Sequence, residues 1–127
     1  MTDTEFNRMN WTYVIHECLG NGITITGGQA NHLDGNSFSS IHCRQNGGHG
    51  VEIVNSPMNN IFGVESAGNS GSGLIVQGSA SQYNLVEGFT AGRYKDRNTV
   101  ETILFGNKQH GIHVRNGAAN NQFGNTN

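Results

Sequence analysis

A four-residue signature, Gly-φ-x-φ with φ apolar, recurs four times along the chain: Gly22-Ile-Thr-Ile, Gly50-Val-Glu-Ile, Gly73-Leu-Ile-Val and Gly111-Ile-His-Val. Its glycines are 28, 23 and 38 residues apart. Self-similarity at such a period marks a chain built of units that bury their apolar sides only by stacking on one another. A second signature, Asn-x-φ-x-x-φ-x-small, follows each first one, at Asn36-Ser-Phe38, Asn60-Ile-Phe62, Asn84-Leu-Val86 and Asn121-Gln-Phe123. The glycine-to-asparagine distances are 14, 10, 11 and 10 residues. Seven residues after three of these asparagines stand Cys43, Ala67 and Ala91. A further copy begins at Asn98, with Val100, Ile103 and Phe105 at matching offsets, so the third repeat carries a duplicated half-turn.

Composition agrees with many short strands separated by turns. The 127 residues include 19 Gly and 18 Asn but a single Pro. Gly and Asn are the residues that best tolerate the left-handed backbone of tight turns. Between them lie short β-branched runs such as Val51-Glu-Ile-Val, and no apolar stripe of helical period persists beyond one turn. A strand this short does not bury its apolar face alone. Stacked repeats place equivalent side chains about 4.8 Å apart and pair the backbone groups. The expected internal columns are Ile23, Val51, Leu74 and Ile112, and Phe38, Phe62, Val86 and Phe123, with Asn36, Asn60, Asn84 and Asn121 as a corner ladder.

The reading is an all-β chain folded as a parallel β-helix, a solenoid of about four coils. It forms a single domain over residues 1–127 with a loop insertion around 88–98. The degenerate repeat resembles that of the right-handed parallel β-helix proteins of the pectin-lyase-like class, phage tailspikes among them, over about residues 10–125. The resemblance implies a right-handed coil and proteins that degrade, epimerise or bind polysaccharide, with trimers among the tailspikes. Enzymes of that class generally have more coils and a terminal amphipathic cap, which this sequence does not show. Thr ladders of ice-binding helices and the Gly-Gly-x-Gly-x-Asp repeat of calcium-binding helices are absent from the sequence. An antiparallel β-sandwich is the alternative fold.

Charge and hydropathy narrow the partners. The net charge of −2 and the lack of a basic stripe argue against nucleic acid. No apolar run reaches the roughly 18 residues of a membrane span. The opening MTDTEFNRMN lacks the apolar core of a signal peptide. Localisation therefore stays open, with a virion or extracellular surface expected if the chain is tailspike-like.

The densest charge is Gly92-Arg93-Tyr94-Lys95-Asp96-Arg97-Asn98, in the long third repeat. Insertions in solenoids form loops, and loops carry sites. Arg93, Lys95 and Arg97 suit the carboxylates or sulfates of an anionic polysaccharide, and Tyr94 suits stacking on a pyranose ring; Asp96 completes the candidate set. The bland reading is a solvated loop. Glycoside cleavage needs two carboxylates. Glu87 and Glu101 share one offset in the duplicated half-turns and form the candidate pair, against the alternative of two solvent-facing glutamates. Glu65 matches the inward positions of Ile41, Phe89 and Ile103; either it is a buried carboxylate or a one-residue shift sends Val64 inward instead.

The six histidines give no metal site: His49 and His110 are two repeats apart, and His16 and His42, which could be neighbours on successive coils, lack a third ligand. No cofactor is expected. Cys18 and Cys43 are expected as two stacked core thiols, with a disulfide also open. The expected function is a structural and binding module, oligomeric, with a trimer first, that contacts polysaccharide. The alternatives are a fragment of a polysaccharide lyase, hydrolase or epimerase, and a purely structural fibre or spacer subunit.

Overall fold

The computed structural model describes residues 8–10, 13–34, 41–91, 106–124 and 126. Among them there is no helix, and every strand pairing is parallel. The described residues form thirteen strands in succession: β1 Arg8–Asn10, β2 Tyr13–His16, β3 Ile23–Thr26, β4 His32–Asp34, β5 Ile41–Arg44, β6 Val51–Val54, β7 Asn60–Phe62, β8 Val64–Ala67, β9 Leu74–Gln77, β10 Leu85–Glu87, β11 Thr90–Ala91, β12 Ile112–Arg115 and β13 Gln122–Gly124. The chain deals them in rotation to three sheets. The first sheet has the order β1-β4-β7-β10-β13, the second β11-β8-β5-β2 and the third β12-β9-β6-β3. The arrangement is compatible with a parallel β-solenoid.

The third sheet follows the glycine signature. Ile23, Val51, Leu74 and Ile112 pair in register, as do Thr24, Glu52, Ile75 and His113 on the outward side. Alternation along each strand sends one set inward and the other outward. Ile25, Ile53, Val76, Ile41, Val64, Leu33, Ile61, Val86 and Phe89 complete a core in which each side chain is at most 1% exposed.

The first sheet departs from the expected register by one residue. Leu33, Ile61, Val86 and Phe123 form its column, so Ile61 is buried and Phe62 turns outward beside Glu87. Val86 and Phe123 stand where expected, Phe62 does not, and Phe38 lies outside the described residues. The same shift pairs Cys43 with Ser66 rather than Ala67. The physical reason is the doublet Asn59-Asn60: the first asparagine, not the second, turns the corner.

That corner ladder runs through Asn31, Asn59, Asn84 and Asn121. Asn59 Oδ1 accepts from the backbone N–H and the Nδ2 of Asn31, at 3.0 and 3.1 Å. Asn84 Oδ1 accepts likewise from Asn59 at 2.8 and 2.9 Å, and Asn121 Oδ1 from Asn84 at 3.0 and 2.9 Å. Asn84 and Asn121 are the expected members, and Asn59 stands in place of Asn60; Asn31 is the fourth member, and Asn36 lies outside the described residues. A second ladder, missed in the sequence, joins Asn46, Asn69 and Asn107 at the corner between the second and third sheets. Cys18 occupies the first rung, its backbone N–H donating to Asn46 Oδ1 at 3.1 Å. It is therefore exposed while Cys43 is buried, and both are free, so the two thiols are not stacked in the core. Burial, with Cys18 adding to it, pushes the Cys43 thiol up to about 12.

Each Asn31-ladder residue follows a residue in the left-handed conformation: Ala30, Met58, Tyr83 and Asn120, with φ from 54° to 58°. This conformation strains a residue that bears a Cβ. The buried amide bonds that follow hold it in place. Asn59→Ala removes donors to Ser56 O, Ser56 Oγ and Asn84 Oδ1 and strands the Asn31 N–H. It is expected to cost about 1–3 kcal/mol, measured by urea denaturation; a change within about 0.3 kcal/mol, the size of a neutral surface substitution, would contradict the ladder.

Candidate functional site

Two outward faces carry clustered polar side chains. On the third sheet, alternation leaves Thr24, Glu52, Ile75 and His113, and Thr26, Val54, Gln77 and Arg115, pointing away from the core. Hydrogen bonds tie these into one row across all four strands. Asn21, on the turn before β3, donates from Nδ2 to Thr24 Oγ1 at 3.1 Å and also to Glu52 Oε2. Gln77 Nε2 donates to Glu52 Oε1 at 2.6 Å, and Arg115 Nε to Gln77 Oε1 at 2.8 Å. Asn116 donates to the same Gln77 oxygen at 3.2 Å. Glu52 is thereby fixed through both oxygens. Ile75 is fully buried within this face, outside the core cluster.

Histidines border the row. In the turns before the strands, Asn21, His49, Ser72 and His110 occupy equivalent places. The Asn21 side chain accepts the His49 N–H at 2.7 Å, and His49 Nδ1 accepts the Ser72 N–H at 2.9 Å. The His110 and His113 rings meet edge to face, 4.4 Å between centroids. Burial lowers the His49 pKa; Glu52 opposes that, while Arg115 and His113 add to it. A histidine so placed is neutral at neutral pH, consistent with an Nδ1 that accepts a hydrogen bond. Among the described residues no three His, Cys, Asp or Glu side chains converge as a metal would require.

The second sheet's outward face holds an ionic group. Val64 faces inward in register with Ile41, which sends Glu65 outward opposite His42. The one-residue shift considered for Glu65 is thus the one the chain adopts. Arg44 donates to Glu65 Oε1 at 2.9 Å, Arg44 Nη2 lies 2.6 Å from His42 Nδ1, and His42 Nδ1 lies 3.4 Å from Glu65 Oε2. His16 and His42 lie on the directly paired strands β2 and β5, two positions apart in register, His16 opposite Arg44 and His42 opposite Val14. Val14, His16, Glu17, Arg44 and Gln45 line an open hollow of about 250 Å³ beside this group.

Burial works to raise the Glu65 pKa, but the contacts with His42 and Arg44 prevail and hold it below the usual carboxylate value. A carboxylate depressed in the folded state gives stability that is complete above its unfolded pKa of about 4.3 and disappears as pH falls through the folded value. Glu65→Gln is therefore expected to lower the urea midpoint at pH 7 but to match the parent protein at the acid end of the titration. An equal deficit at both extremes would show that the loss comes from packing instead.

The other candidates are dispersed. Glu87 lies outward on the first sheet, paired with Phe62 and Gly124. Its expected partner Glu101 lies outside the described residues, as do Arg93, Tyr94, Lys95, Asp96 and Arg97. Glu52, Glu65 and Glu87 thus occupy three different sheets. The row residues Asn21, Gln77 and Arg115 were not singled out in the sequence. The signal was present, since each keeps a fixed offset from a motif glycine: one residue before Gly22, and four after Gly73 and Gly111. Neither a family model, nor a curated protein, nor a solved structure matches the chain.

Proposed function

We propose that the chain is a right-handed parallel β-helix module of about four coils, of the pectin-lyase-like or tailspike-like kind, that binds an extended polysaccharide along the outer face of its third sheet. The observation that carries this reading is the hydrogen-bonded row from Thr24 through Asn21, Glu52 and Gln77 to Arg115. Equivalent side chains on successive strands repeat at about 4.8 Å, a spacing suited to a ligand that itself repeats. Side chains already bonded to one another lose little freedom when a ligand arrives, which favours binding to an open surface.

Binding is put ahead of turnover because, among the described residues, Glu52, Glu65 and Glu87 lie on three different sheets, whereas glycoside hydrolysis needs two carboxylates flanking one bond; Glu101, the candidate partner of Glu87, lies outside those residues. Self-association, with a trimer as first expectation from the resemblance, belongs to the same proposal; sedimentation showing only monomer at micromolar concentration would remove it. The test of function is a glycan array read alongside reducing-sugar and unsaturated-product assays. The expected result is binding without product, weakened about tenfold or more in Gln77→Ala/Arg115→Ala, the equivalent of one or two hydrogen bonds. Product formation would replace the proposal with the lyase or hydrolase alternative.

A further inference from the structure

The charge inventory of the third sheet's outward face points to the chemical class of its ligand. Its described residues form a grid: Asn21, His49, Ser72 and His110 in the preceding turns, then Thr24, Glu52, Ile75 and His113, then Thr26, Val54, Gln77 and Arg115. Only two of these side chains carry a fixed charge. Glu52 stands inside the grid, and Arg115 lies on the strand at the sheet's edge. Arg115 is moreover turned toward Gln77, its Nε donating to the amide oxygen. Ser72 and Ile75 are fully buried, and what the other members present is hydroxyl, amide, imidazole and hydrocarbon.

We infer that this face takes an uncharged glycan, lying across the four strands, in preference to a uronate or sulfated chain. The inference rests on the proposed polysaccharide reading and narrows it. An acidic sugar unit over the middle of the row would meet the Glu52 carboxylate. That group is held in place from both sides by Asn21 and Gln77. Like charges brought together as water is displaced repel more strongly than in bulk solvent. A hydroxyl meets the opposite situation. The carboxylate accepts from it, and Gln77 Nε2, which uses one of its two hydrogens on Glu52, has the other to give. The rim guanidinium adds donors without imposing an anion. The ligand contacts are then hydrogen bonds rather than ion pairs, and affinity is insensitive to salt.

The experiment titrates the intact protein with dextran, mannan and galactan on one side and polygalacturonate, alginate and heparin on the other, each at low and high salt. Binding of at least one neutral glycan, changed less than about twofold by salt and weakened about tenfold in Gln77→Ala, supports the inference. Glu52→Gln, with its fold checked by circular dichroism, is expected to raise polygalacturonate affinity about tenfold by removing the repelling charge. Binding of the polyanions alone, falling with salt and abolished by Arg93→Ala/Arg97→Ala, overturns the inference and leaves the polysaccharide reading intact with its site on the insertion. No binding to any of the six overturns the polysaccharide reading itself.

Discussion

Gly50→Ala is expected to destabilise the protein by about 3 kcal/mol, at the upper end of the cost of overpacking a filled interior. A Cβ there would overlap Ser66 Oγ and would stand 2.7 Å from Gly73 O and 2.9 Å from Asn69 Nδ2. All three neighbours are committed. Ser66 Oγ donates to Gly73 O at 2.8 Å and accepts from Asn69 Nδ2 at 3.0 Å, and Gly73 O also receives the Val51 N–H at 2.9 Å. The methyl group therefore breaks a buried network as well as crowding it. Gly20→Ala is the control, since nothing lies within 4 Å of its Cβ position. Urea denaturation should show a large drop in midpoint for the first variant and almost none for the second; equal effects would mean that the signature glycine is not a packing requirement.

Ile61→Ala is expected to cost about 3 kcal/mol, and Phe62→Ala about 1 kcal/mol or less. Ile61 is 0% exposed and packs in the core beside Leu33 and Val86, whereas Phe62 points outward from the same strand. By size alone the phenylalanine would be the costlier loss, so the order of the two values reads the register directly. The reverse order would restore the column that places Phe62 inside.

How much of this was legible in the sequence follows from which constraints are local. The glycine signature gave the third sheet its complete register because the reason for the glycine is steric. At Gly22, Gly50 and Gly73 a Cβ would fall within 3 Å of a ladder amide and of the next motif glycine's carbonyl oxygen. Nothing but glycine suits such a position, and an invariant requirement leaves a readable spacing. The first sheet was read one residue out because its corner has no fixed length. Four residues separate Val54 from Asn59, but six separate Gln77 from Asn84. A gap of variable size hides which asparagine turns the chain.

The left-handed residues that precede the ladders gave no signal either. Ala30, Gln45, Met58 and Tyr83 are not turn-forming types, and the positive φ is imposed on them by the buried amides that follow. The second ladder was legible in principle, as Asn46, Asn69 and Asn107 each stand four residues before a motif glycine. Cys18 in the equivalent place broke the pattern. The candidate row was harder to see. Its members come from four repeats and from both a turn and the strands, and only the stacking of those repeats brings Asn21, Glu52, Gln77 and Arg115 into contact.

The proposal that this row is a glycan-binding face is tested most directly by amide chemical-shift mapping of the isotopically labelled protein during titration with a bound glycan. The expected result is a set of perturbed amides concentrated at Asn21, Thr24, Glu52, Gln77 and Arg115, spanning β3, β6, β9 and β12, with the first and second sheets unmoved. Perturbations confined to His42, Arg44 and Glu65, or to the outward residues of the first sheet, would contradict it and move the site to another face.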